Sequence, residues 1–106
     1  MAGRVIWRCR AEEDLTEAYA HLGAESPTAA ERLLDAVEEA IELLLENPRA
    51  GRRRAFCSPR AQEVRSWILK DFESYLLFYR SDGEDLEVVR FLHGARDLPA
   101  LLDDES

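Results

Sequence analysis

The chain has 106 residues, 46% of them hydrophobic and 34% charged, with a formal net charge of −8. That length builds one domain around one core, the apolar share excludes a disordered chain, and the surplus of acid argues against the whole molecule as a nucleic-acid binder. No apolar run approaches the roughly 18 residues of a membrane span, and Met1-Ala2-Gly3-Arg4 lacks the apolar core of a signal peptide, so a cytoplasmic protein without a membrane partner is expected.

Arg4 to Cys9 reads as a first strand, with Val5, Trp7 and Cys9 on one face. Ala11, Leu15, Ala18, Tyr19 and Leu22 then recur at helical spacing. Glu12, Glu13 and Asp14 suit the first turn of that helix, where the dipole favours negative charge, and Gly23 suits its end, so helix one is expected from about Glu12 to Leu22. Ser26-Pro27 starts a second helix, serine as cap and proline in the first turn. Ala30, Leu33, Leu34, Val37, Ala40, Ile41 and Leu44 make its apolar stripe, and Asn47-Pro48 ends it. The short link between the helices predicts an antiparallel helical hairpin.

Arg49 to Arg60 reads as a loop holding Gly51 and the run Arg52-Arg53-Arg54. Glu63 to Leu69 is the next strand. Asp71 to Ser74 is expected to turn the chain into Tyr75-Leu76-Leu77-Phe78-Tyr79, five large side chains in a row and apolar on both faces. Ser81-Asp82-Gly83 signals a hairpin, and Leu86 to Leu92 is the last strand. Alternation puts its Leu86, Val88 and Leu92 on one side and Val89 and Phe91 on the other. His93 to Asp97 closes that strand, and Leu98, Leu101 and Leu102 precede an acidic end.

The order is thus β-α-α-β-β-β, an α+β fold in one domain spanning 1–106, with an N-terminal helical hairpin packed on one face of a small antiparallel sheet. One helical layer covers one sheet face, while the strands are apolar on both. Either the C-terminal leucines fold back over the second face, or that face awaits a partner.

Charge is segregated along the chain. Residues 1–48 carry 4 basic and 11 acidic side chains, residues 49–80 carry 8 and 3, and residues 81–106 carry 2 and 8. The basic middle is either self-complementary within the fold or meets an acidic partner or a phosphate backbone. Cys9 and Cys57 lie far apart in no metal-binding or redox spacing, and Cys57 has no evident triad partner despite the arginines near it. No cofactor or metal is expected.

The ordered set Ala11-Glu12-Glu13-Asp14-Leu15, Ser26-Pro27 with Ala29-Ala30, Asn47-Pro48, Gly51, Val64-Arg65, Tyr79-Arg80 and Leu92-His93-Gly94-Ala95-Arg96-Asp97 resembles the ParE branch of the RelE/ParE toxin superfamily of bacterial type II toxin–antitoxin systems. The resemblance implies a toxin neutralised in a heteromeric complex by a ParD-like antitoxin, and meeting DNA only indirectly through it. It implies DNA gyrase as the target, by direct binding and without catalysis. The antitoxin would supply the missing cover, with Trp67, Leu69, Tyr75, Leu77, Tyr79, Val89 and Phe91 as candidate contacts.

RelE-like members instead cleave messenger RNA on the ribosome, which needs an acid, a base and cations on the phosphate. Arg65, His93 and Arg96 would be such a site here. Yet Lys70 is the only lysine, and Leu101 or Leu102 stands where the late tyrosine of those members would fall, which favours the ParE branch. A decayed toxin that only binds its antitoxin is the third possibility, motivated by the acidic balance.

The candidate target contacts are Arg65, His93, Arg96, Arg52, Arg53 and Arg54, and each has a plainer reading. Arg96 either touches the target or pairs with Asp97. His93 either titrates in the site or is a hydrogen-bonded strand end. Arg65 either meets a partner or lies over Trp67. The arginine run is either a contact surface or a solvated loop.

Overall fold

The structure, a computed structural model, describes residues 3–54 and 64–94. Its elements run β1 (Val5–Trp7), α1 (Cys9–Glu25), α2 (Pro27–Glu46), β2 (Arg52–Arg53), β3 (Arg65–Leu69), β4 (Phe72–Asp82) and β5 (Asp85–His93). The strands form one sheet in the order β1-β5-β4-β3-β2. The α+β order and the helical hairpin on one sheet face are as expected. The sheet is mixed rather than antiparallel, because β1 lies parallel to β5 with Val5 opposite Leu86 and Trp7 opposite Val88.

Helix α1 differs from expectation at both ends. Helix α1 begins at Cys9, three residues before the acidic cluster, and Arg8 gives its start no side-chain cap. It also runs through Gly23 to Glu25, so Gly23 is no terminator. Ser26 serves both helices. Its N–H donates to Leu22 O, closing α1, and its Oγ accepts from Ala29 N at 3.2 Å, opening α2. Helix α2, about 30 Å long by its rise, buries Ala30, Leu33, Val37, Ala40 and Leu44 along one stripe. Asn47 ends it, with N–H and Nδ2 both donating to Leu43 O.

Two stretches first read as loop are regular. Arg52-Arg53 pairs with Ser66 and Arg65 as an edge strand. The turn into β4 is the Lys70-Asp71 pair, not Asp71 to Ser74, with Asp71 at φ 69. The β4–β5 turn is Gly83-Glu84, with the positive φ on Gly83 (66°), the glycine-first arrangement whose twist suits a two-residue hairpin.

The main core lies between helices and sheet. Leu33, Val37 and Leu44 of α2 and the small Ala11 and Ala18 of α1 meet Leu69, Tyr75, Leu77, Tyr79, Leu86, Val88 and Phe91. Tyr75 and Phe91 stack there with ring centroids 5.3 Å apart. A second apolar cluster, Val64, Leu76, Phe78 and Leu92 with Val89 against it, occupies the other sheet face.

The alternation expected for β5 fails at one residue. Phe78 opposes Arg90 and Tyr79 opposes Val88, so Val89 is an extra, unopposed residue. Such a bulge moves every side chain beyond it to the other face. Phe91 therefore joins Leu86 and Val88 in the core, while Leu92 joins Val89 on the far side. No helix of the described residues is long and apolar enough to cross a membrane.

Candidate functional site

The face proposed for the antitoxin is largely the face the helices cover. Leu69, Leu77 and Tyr79 are fully buried in the main core, and Tyr75 and Phe91 nearly so. Strands β3 and β4 are apolar on both faces, so pattern alone does not say which face the hairpin takes. Trp67 is half-buried beside that core, and of the seven candidates only Val89 faces the other way. The second face is not open either. Val64, Leu76, Phe78 and Leu92 are all under 9% exposed. The expectation that Leu98, Leu101 and Leu102 fold over it lies outside the described residues. Exposed apolar groups remain at the flanks of this face, Ile6 at 43% and Ile68 at 58%.

The arginine-bearing segment after α2 is fixed from below by Tyr79. Its hydroxyl donates to Pro48 O at 2.7 Å and accepts from Gly51 N at 2.9 Å. Burial pushes the Tyr79 hydroxyl pKa above its ordinary value, against the opposing pull of the Gly51 N–H and the Arg65 charge, so it stays protonated and able to donate. Gly51 is required by closeness. A Cβ there would meet the Tyr79 hydroxyl and lie 2.7 Å from Tyr79 Cε1 and 2.9 Å from Ser66 O.

Arg65 belongs to the same anchor. Its Nη1 donates to Gly51 O at 2.9 Å and to Arg49 O at 3.3 Å, a use that Trp67 stacking does not describe. Beyond it the cations spread along the sheet edge. Arg49, Arg52 and Arg53 are exposed. Arg54 turns onto the second face, where its Nε donates to Ser66 Oγ at 2.7 Å and its guanidinium lies 6.0 Å from the Phe78 ring centre. Burial, with the neighbouring Arg52 charge, lowers the Arg54 pKa. No ion pair among the described residues includes Arg52, Arg53 or Arg54.

His93 sits elsewhere. It opposes Tyr75 at the far end of β4 and meets that ring edge-on, centroids 5.4 Å apart. Arg65 opposes Tyr79 on the other flank of β4. Four residues along a strand separate the two positions by about 13 Å, so Arg65 and His93 do not converge on one scissile phosphate. Arg96 lies outside the described residues. Gly94 has no positive φ; its Cα sits where a Cβ would be 3.3 Å from Leu76 Cδ1. No three His, Cys, Asp or Glu side chains of the described residues group as a metal site.

Two polar groups matter more than the sequence suggested. Asp14, expected at a helix start, reaches across to the β5 bulge. Its carboxylate accepts from Arg90 Nε at 2.7 Å, Arg90 Nη2 at 3.1 Å and the Phe91 N–H at 3.0 Å. Glu87 lies between Arg8 at 2.7 Å and Arg80 at 3.3 Å, and the Arg8 hydrogen bond first of all holds its carboxyl below the ordinary range. The spacing of Asp14 and Arg90 in the chain gives no hint that they meet.

Against this geometry, the family model described as the ParE toxin of the type II toxin–antitoxin system parDE matches residues 5–98. The chain belongs to the ParE toxin family. It is therefore a toxin of the type II toxin–antitoxin class. Among curated relatives, Toxin RelE2 of Caulobacter vibrioides is 30% identical over 88% of this chain and 97% of its own length. Y4kP of Sinorhizobium fredii is 29% identical over 93% of this chain and 96% of its own. A solved structure titled as the chromosomal ParDE system of P. aeruginosa superposes with a TM-score of 0.68 at 21% identity, covering 86% of this chain and 95% of that one. That likeness establishes a shared ParE-type fold.

Proposed function

We propose that this ParE-family chain is a non-enzymatic toxin that inhibits DNA gyrase by direct binding and is neutralised by a ParD-like antitoxin in the cytoplasm. The observation that carries the binding mode is the split of the would-be nuclease set. Arg65 is engaged with the Arg49 and Gly51 carbonyls, and His93 lies about 13 Å further along β4. General acid–base cleavage requires its groups within hydrogen-bond reach of one reacting centre. What the fold holds forward instead is a rigidly backed row of exposed cations, Arg49, Arg52 and Arg53, suited to an acidic or phosphate-rich surface of the target.

The test is supercoiling by purified gyrase with the toxin alone. Loss of supercoiling is expected, with recovery when the antitoxin is added and a weaker effect from an Arg52→Glu/Arg53→Glu toxin. Full gyrase activity at excess toxin rejects the reading. The name of the Caulobacter relative supports one competitor, a RelE-like ribosome-dependent messenger endoribonuclease using Arg65, His93 and Arg96. Transcripts cut on induction would favour it, whereas growth arrest with intact transcripts excludes it. Absence of any growth arrest would leave a decayed toxin that only binds its antitoxin.

A further inference from the structure

The two edges of the sheet are not alike. The β2 edge is guarded, because its exposed Arg52 and Arg53 would meet like charges on a second copy. The β1 edge lacks that protection. Its arginines are turned back onto the neighbouring strand. Arg4 N and Nη2 donate to the Asp85 carboxylate at 3.1 and 3.2 Å, and Arg8 Nε donates to Glu87 Oε2 at 2.7 Å. Between them stands Ile6, 43% exposed. Its neighbours Val5 and Trp7 are half-buried against the main core, so Ile6 lies on the second sheet face. Among the described residues no strand pairs with β1 on its outer side.

The backbone bonds fix which groups that edge offers. The Leu86 N–H donates to Arg4 O at 2.9 Å, and the Arg8 N–H to Val88 O at 3.1 Å. A parallel ladder uses every second residue of a strand toward one neighbour. Arg4, Ile6 and Arg8 therefore serve β5, and Val5 and Trp7 aim their N–H and C=O groups outward. A second copy of β1 laid antiparallel, Ile6 opposite Ile6, brings Val5 of each copy against Trp7 of the other. Each such pair exchanges both of its N–H···O=C bonds, so every outward donor and acceptor of the two strands is matched. The central isoleucines then fall in the non-hydrogen-bonded position, Cα atoms about 4.5 Å apart, with their side chains in contact on the second face.

We infer that β1 is a two-fold self-association surface, at which a second copy of this chain extends the sheet from five strands to ten through Val5–Trp7. A second copy is the occupant because the edge is complementary to itself about Ile6. Arg4 and Arg8 face one another across the dyad, each already neutralised by its own carboxylate. The pairing is isologous, so it closes at two copies. Both helical layers lie on one side of the joined sheet and both second faces on the other. The β2 edges come to the outer ends, roughly 40 Å apart at about 4.8 Å per strand step, and the arginine row of each copy stays free. Three residues a side make a joint far smaller than a standard interface. The charge of −8 on each copy opposes approach, so screening by salt strengthens the dimer. The inference is independent of which target the toxin has.

The experiment is sedimentation equilibrium of the full chain alone, up to roughly millimolar concentration, in low and high salt. A monomer–dimer equilibrium that tightens with salt is expected. Ile6→Lys, an exposed change whose fold is checked by circular dichroism, should weaken association by about tenfold or more, while Ile6→Val retains it. A second arm uses the chain with Cys9→Ser and Cys57→Ser. There Ile6→Cys should form an intermolecular disulfide under mild oxidant, because the paired Cα separation suits one. Ile68→Cys, at a more exposed position (58%) near the guarded edge, should stay largely reduced.

A single monomeric species at every concentration and salt overturns the inference. So does association that Ile6→Lys leaves unchanged, association that weakens as salt rises, or equal cross-linking of Ile6→Cys and Ile68→Cys. Amide shifts at Val5–Trp7 on adding the antitoxin to a toxin that is monomeric by itself would assign this edge to that partner and overturn the inference as well. If Ile6→Lys does not fold, the comparison of the two cysteine variants decides.

Discussion

Asp14 and Arg90 are 11% and 17% exposed at their side chains, so their pairing is removed from most solvent screening. One carboxylate ties α1 to the irregular point of β5 through two guanidinium bonds and the Phe91 N–H. Replacing only one partner strands the other charge, and such breaks cost about 3 kcal/mol or more. Urea denaturation of Asp14→Asn should show a loss of that size, and Asp14→Leu/Arg90→Met should lose clearly less than the two single changes added together. Tyr79→Phe is the milder case. It leaves the Gly51 N–H and the Pro48 carbonyl without their partner, at about 1–2 kcal/mol. Hydrogen exchange at the Gly51 amide should quicken before any global loss of structure is visible.

Among the elements, the segment between α2 and β3 was the hardest to read in advance. Three consecutive arginines carry no period-2 pattern, so Arg52-Arg53 looked like loop. It is held as strand by bonds that arise elsewhere, from Tyr79 and Arg65. Helix α2 was legible end to end because its stripe, its Ser26-Pro27 start and its Asn47-Pro48 stop are all local signals. Helix α1 was legible only in its middle, since Arg8 is no cap and Gly23 sits within the helix. The face assignment of β5 failed for a different reason: a bulge is a mismatch between two strands and leaves no mark in either alone. The candidate site shared that fate, because its residues are brought together, or kept apart, by register. Two glycines give a test at this scale. Gly51→Ala collides with Tyr79 and Ser66 O and should cost about 1–3 kcal/mol. Gly23→Ala meets only Ala30 Cβ at 3.6 Å inside a helix and should stabilise by up to about 1 kcal/mol. Thermal melts of the two variants should move in opposite directions.

At the scale of the whole molecule, charge is sorted by layer. The two helices carry half of the acid, 11 of the 22 carboxylates, and the β2 edge carries base that no described carboxylate pairs. Binding of an acidic partner at that edge should weaken as salt rises, as exposed charges are screened over about 8 Å at physiological ionic strength. Stability should follow pH through the junction of the first and last strands. Arg4 bonds hold the Asp85 carboxyl below its ordinary value, and Arg8, then Arg80, hold that of Glu87 below its own. A depressed carboxyl contributes in full above its unfolded pKa, about 4 for these residue types, and the contribution is lost as pH falls through the lower folded value. Denaturation curves between pH 6 and the acid limit should therefore show the folded state weakening from about pH 4 downward, less steeply in Arg8→Ala. The same junction governs when the toxin comes into being. Val5 finds its neighbour only at Leu86, by way of Arg4 O accepting the Leu86 N–H. On the ribosome the opening strand must wait, unmatched, until β5 has been synthesised. Under the function proposed above, a cell making this protein has an interval in which the toxin's sheet is incomplete, and in which an antitoxin already present reaches it first.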